Sequence, residues 1–146
     1  MLKQQIESEM KEALKGGDQL RLSTLRFLLA SLQNEEIAKQ KELADEDVIA
    51  VVQRQIKQHR ESIEAFEKGG RDELAQKERE ELEILSKFLP QQLSEEEIKE
   101  AVEEELAQLP DNEKNNFGKI MGVVMTKVKG KADGGTVSRV VKELLG

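Results

Sequence analysis

Apolar residues recur along this chain at steps of three and four, and the breakers fall where helices of that period would end. Leu2, Ile6, Met10 and Leu14 predict a first helix, which Gly16-Gly17 stops and after which Asp18 can cap the next. The second carries Leu22, Leu25, Leu29 and Leu32 on one stripe, widened by Leu28, and is expected to run to about Lys39. After Ala44-Asp45, the positions Ile49, Val52, Ile56, His59, Ile63 and Phe66 form a heptad-like seam that Gly69-Gly70 closes. A fourth helix places Leu74, Leu82, Leu85 and Leu89 together and ends before Pro90, whose ring and missing N–H forbid continuation.

Ser94-Glu95-Glu96-Glu97 has the spacing of a capping box and opens a fifth helix with Ile98, Val102, Leu106 and Leu109, up to Pro110. Asp111 to Asn116 is polar and turn-like. The sixth helix has Phe117, Ile120, Met121, Val124 and Val128; the seventh has Val137, Val140, Val141 and Leu144, and Lys129 to Gly135 links them. No strand pattern competes and no internal repeat is visible. The expected fold is therefore all-α, with an N-terminal body of long antiparallel helices (1–90) and a C-terminal three-helix cap (94–146), hinged at Pro90–Leu93.

Composition narrows the function. Four Phe and no Trp or Tyr leave the core to aliphatic side chains, and the absence of Cys removes disulfides, thiolate metal sites and a cysteine nucleophile. No apolar run is long enough for a membrane span, and Lys3, Glu7, Glu9, Lys11 and Glu12 interrupt any signal-like segment, so a cytoplasmic protein with no membrane partner is expected.

Charge is divided sharply. The 146 residues carry −7, yet 94–113 hold nine acids and one Lys, while 114–146 hold seven cations and two acids. On the sixth helix Lys119, Gly122, Val123 and Thr126 are expected to face outward, with Lys127 at the border; on the seventh, Arg139 and Lys142. Together with Lys129 and Lys131 of the linking turn these cations could form one basic surface, and Gly130 and Gly134 would leave turn amides open to an anion. The alternative is internal pairing between this basic segment and the acidic fifth helix. With no exposed aromatics expected to stack bases, and Phe117 assigned to the core, only backbone and shape recognition of a folded RNA suits such a surface.

Elsewhere the chemistry is sparse. His59, the single histidine, occupies a seam position beside Arg60, Glu61 and Ser62, ordinary helix-surface residues, and the acid runs Glu95–Glu97 and Glu103–Glu105 spread around a helix rather than converge. No metal site, catalytic residue or cofactor fingerprint is expected.

Gly118-Lys119, Met121-Gly122, Val124-Met125 and Lys129-Gly130-Lys131-Ala132 resemble the C-terminal tail of the GatB component of the tRNA-dependent amidotransferases, which make Gln-tRNA or Asn-tRNA from mischarged precursors. With Ser62 to Arg71 and Phe88 to Ile98 added, essentially the whole chain resembles the stand-alone YqeY family. One departure is local: the amidotransferase tail usually continues with Asn-Pro where this chain has Asp133-Gly134-Gly135. The resemblance implies a tRNA-binding or tRNA-enzyme-associated module, with tRNA and an aminoacyl-tRNA-related enzyme as partners and Lys119, Gly122, Lys127, Lys129, Gly130, Lys131, Arg139 and Lys142 as RNA-contacting candidates. It implies a carbon–nitrogen ligase only by association. A helical protein–protein adaptor is the rival reading.

Overall fold

A computed structural model describes all residues, 1–146, as seven α-helices and one short 3₁₀ turn, with no strands. The helices are α1 (Leu2–Gly16), α2 (Gln19–Lys39), α3 (Asp45–Lys68), α4 (Asp72–Ser86), α5 (Glu95–Gln108), α6 (Phe117–Val128) and α7 (Gly134–Leu145). They divide into two compact units, Met1–Leu89 and Pro90–Gly146.

The first unit is an up-and-down array whose register is visible in its polar pairs. Lys3 meets Glu36 and Arg21 meets Glu9, which sets α1 antiparallel to α2. Gln55 meets Ser31 and Lys39 meets Asp47, which does the same for α2 and α3. Helix ends follow local chemistry. Gly17 closes α1 at φ 72°, and the Asp18 carboxylate accepts the Arg21 N–H at 3.1 Å to begin α2. Asp47 accepts the Ala44 N–H at 3.0 Å, and that bond, with Lys39 beside it, holds the Asp47 carboxyl below its usual range.

Ile6, Leu25, Leu28, Leu32, Val48, Val52, Ile56 and Leu85 pack into one core. The faces differ in detail from those the spacing predicts. Leu14 is 55% exposed and Ala13 is buried in its place, because steps of four overshoot a helical turn by about 40° each and have drifted by about 120° after three. Leu28 lies at the centre of the α2 face and Leu29 at its edge. On α3 the fully buried set is Val48, Val51, Val52, Gln55 and Ile56, with Ile49, Ile63 and Phe66 only half-buried; a face touching several helices is wider than a two-helix seam. On α4, Ala75 is buried and Leu74 exposed, since Ala75 lies two whole turns before Leu82.

In the second unit Ile98, Val102, Ile120, Val124, Val128, Val137, Val140 and Val141 form a separate core. The Ser94 hydroxyl accepts the Glu97 N–H at 3.2 Å, and Asn116 and Asp133 accept from Lys119 and Thr136 to start α6 and α7. The segment expected to be a hinge is tied in: the Leu93 N–H donates to the Lys131 carbonyl at 2.8 Å, and Gln92 Nε2 to the Gly130 carbonyl at 2.9 Å. A fragment beginning at Pro90 is therefore expected to melt cooperatively by circular dichroism, whereas one beginning at Ser94 loses both bonds and melts at lower temperature. Equal melting of the two would contradict this role for Gln92 and Leu93.

Candidate functional site

The basic segment of the second unit is built on α6, α7 and the turn between them. Lys119, Gly122 and Thr126 do face outward, and a Cβ placed at Gly122 would meet nothing within 4 Å, so close helix packing does not explain that glycine. In the turn, Lys129 and Lys131 are exposed and alternate with buried Gly130 and Ala132. Gly130 adopts φ +78°, a conformation that glycine takes without strain, and its carbonyl is occupied by Gln92. An open amide cradle at Gly130 is thus ruled out by burial. The first turn of α7 is likewise filled: Asp133 accepts the Thr136 N–H at 2.9 Å and its hydroxyl at 2.8 Å. An Asn at that cap followed by Pro at the first helical position would serve the same two roles as Asp133-Gly134.

Most of the cations have internal partners. Lys119 lies 2.5 Å from Glu113, and Lys127 lies 2.5 Å from Glu104 and 3.7 Å from Glu105. Arg139 pairs with Glu95 and, at 3.5 Å, with Glu143, while Lys142 sits 5.6 Å above the Phe117 ring. The hydrogen bonds to Glu104 and Glu95 raise the Lys127 and Arg139 pKa values, respectively. Glu95 and Glu104 are nine residues apart on α5, which is about 14 Å along the axis and half a revolution around it. Lys127 and Arg139 therefore flank opposite sides of α5, and the single basic surface expected from sequence is divided. What remains contiguous is Lys127 at the end of α6 with Lys129 and Lys131 immediately after it, while Lys119 lies eight residues earlier, about 12 Å along the axis.

The first unit holds a cluster that sequence reasoning missed. His59 Nδ1 on α3 is hydrogen-bonded to Glu78 on α4 and lies 3.5 Å from Oε2 of Glu81, one turn further on. The residues next to His59 in sequence are not its partners. The signal lay in the Gly69-Gly70 break: folding the chain back about that pair sets His59 opposite position 80, between two acids spaced to share a face. Burial, reinforced by the Glu78 carboxylate, holds Glu81 above the usual carboxylate range. A carboxyl raised in this way binds its proton more tightly folded than unfolded, so stability falls as pH rises through the interval between the two values and stays lowered at neutral pH. Glu81→Gln is expected to raise Tm at pH 7 in chelator-containing buffer, with the gain vanishing below about pH 4, under the unfolded value. A gain that persisted at low pH would contradict this cause.

The geometry defines an all-helical protein of two compact units, with a basic edge in one and a histidine–carboxylate cluster in the other. Residues 3–145 match the Yqey-like protein family, and the chain belongs to it. Among curated proteins it is 30% identical over 144 residues to "Altered inheritance of mitochondria protein 41, mitochondrial" of Pyrenophora tritici-repentis, covering 97% of this chain and 79% of that one. The proteins of the same name from Candida glabrata and Kluyveromyces lactis are 32% and 34% identical, over 84% and 79% of this chain and 72% and 66% of theirs. No helix is long and apolar enough to cross a membrane.

Proposed function

We propose that this chain is a non-catalytic, tRNA-associated helical module whose second unit contacts the RNA backbone through Lys119, Lys127, Lys129 and Lys131. The observation that carries the reading is the turn after α6, where Gly130 and Ala132 are anchored inward and Lys129 and Lys131 stand exposed on an acidic protein. Resemblance of this same stretch to the amidotransferase tail supplies tRNA as the RNA. Exposed ion pairs such as Lys127–Glu104, with side chains 43% and 64% accessible, contribute about 0–1 kcal/mol and exchange readily for a phosphate. Their presence still sets the affinity low, because the acids must be left behind as RNA arrives.

Catalysis belongs elsewhere on this reading, and a carbon–nitrogen ligase label would reach this chain only through the stretch it shares with the amidotransferase tail. We place the protein in the cytoplasm. The curated relatives carry "mitochondrial" in their names, and a chain without Cys suits either reducing compartment. The test is a titration of bulk tRNA against the purified chain, with glutamine hydrolysis assayed in parallel. Saturable, salt-sensitive binding without glutamine turnover supports the proposal; turnover that survives purification and is lost in His59→Asn overturns its non-catalytic half.

A second reading, a protein adaptor, is favoured by the pairing of Lys119, Lys127 and Arg139 with acids of their own unit. On that reading the internal pairs are the resting state of these cations, and any RNA contact must first displace an acid. An absence of tRNA binding at low salt would select it.

A further inference from the structure

We propose that His59, Glu78 and Glu81 are the ligands of a divalent transition-metal site that opens onto the pocket bordered by α2 and α3. The three side chains each offer one ligand atom, and these atoms all lie within 4.8 Å of one another. Metal–ligand bonds of about 2.0–2.2 Å in tetrahedral geometry put neighbouring ligand atoms about 3.3–3.6 Å apart. His59 Nδ1 and Glu81 Oε2 already stand at 3.5 Å. The His59–Glu78 contact is a direct hydrogen bond that an entering metal would replace, and Glu78 is the most exposed of the three side chains.

Charge points the same way. The cluster sets two carboxylates against a single imidazole, with side chains only 16–22% exposed. A divalent ion placed among them would offset the mutual repulsion of the two carboxylates.

An independent observation comes from Gln55, one turn before His59 on the same helix. It is 3% exposed, its Nε2 is fixed by a 2.8 Å bond to Ser31, and no protein donor reaches its Oε1. An orphaned buried acceptor is costly. Gln55 lines a pocket of about 290 Å³ together with Ser23, Thr24, Phe27, His59 and Glu81. Three protein ligands leave a fourth position open to such a pocket, as in sites that carry water or substrate, and a metal-bound water is a donor that would satisfy the Gln55 oxygen. One imidazole with two carboxylates suits zinc, cobalt, manganese or ferrous iron rather than magnesium or calcium, which prefer all-oxygen sites.

The test uses the full chain, stripped with chelator and titrated with Co²⁺ while its visible d–d bands are recorded, and with Zn²⁺ by calorimetry. One equivalent is expected to bind, with millimolar Mg²⁺ failing to compete. His59→Asn and Glu81→Gln should each weaken affinity about tenfold or more while far-ultraviolet circular dichroism stays unchanged. Gln55→Leu should alter the cobalt spectrum without abolishing binding, and Glu95→Gln/Glu96→Gln, an acidic control on α5 of the second unit, should change nothing. No saturable binding at micromolar metal, undiminished binding in both ligand variants, or equal loss in the acidic control would overturn the proposal.

Discussion

Leu28→Ala is expected to destabilise the first unit by about 2–5 kcal/mol, far more than the same truncation at a surface leucine. Leu28 is fully buried at the centre of the α2 face, where it shares a core with Leu25, Leu32, Val52 and Leu85. Removing its three outer carbons forfeits their transfer from water and leaves a cavity that rigid helices cannot close. Leu14→Ala, on the exposed side of α1, should cost well under 1 kcal/mol. Because the second unit has a core with no residue in common, its own melting transition should be unmoved. Denaturant titration resolving two transitions checks this; a Leu28→Ala loss as small as that of Leu14→Ala would contradict the assigned core.

The second large effect concerns RNA. Reversing Lys127 and Lys131 to Glu changes the charge of the basic edge by four and is expected to weaken tRNA binding by at least about tenfold at low salt, since each engaged cation contributes through counterion release. Stability should change little: Lys127 is a surface pair, and Lys131 is exposed with no acidic partner, its carbonyl rather than its side chain holding Leu93. Arg54→Glu/Lys57→Glu, on α3 of the first unit, should weaken binding much less. Filter-binding or fluorescence titrations of the native chain and both double variants compare them directly, and equal losses in the two variants would rule out the basic edge as the RNA contact.

Helix number, order and most ends were legible in the sequence because they depend on local chemistry. Gly17, Asp18 and Ser94 act within one turn of where they stand, whereas Asp133, read as part of the Lys129 to Gly135 link, caps an α7 that already begins at Gly134, and α4 ends at Ser86 rather than running to Pro90. The exact buried face was less legible, and Leu14, Leu74 and Ile49 show why: leucine and isoleucine are counted as core by type, whereas the angle around the helix decides, and Ala13 and Ala75 win the inward positions despite their small size. Sites were least legible. The outward stripe of α6 follows from periodicity, but the division of the basic residues depends on which flank of α5 each neighbour occupies. The His59 cluster depends on the register of the α3–α4 hairpin, which neighbouring residues alone do not encode.

The pairing of Lys127 with Glu104 and Glu105 gives the sharpest test of the tRNA reading, because the presence or absence of an RNA contact predicts different outcomes for the same change. If the α6 edge binds phosphate, Glu104 and Glu105 compete with RNA for Lys127 and repel it besides. The decisive measurement is tRNA affinity at two salt concentrations for the native chain and for Glu104→Gln/Glu105→Gln. Phosphate contact at this edge predicts tighter binding in the variant and a steep fall with salt in both. Unchanged or weaker binding in the variant, or binding indifferent to salt, would contradict it.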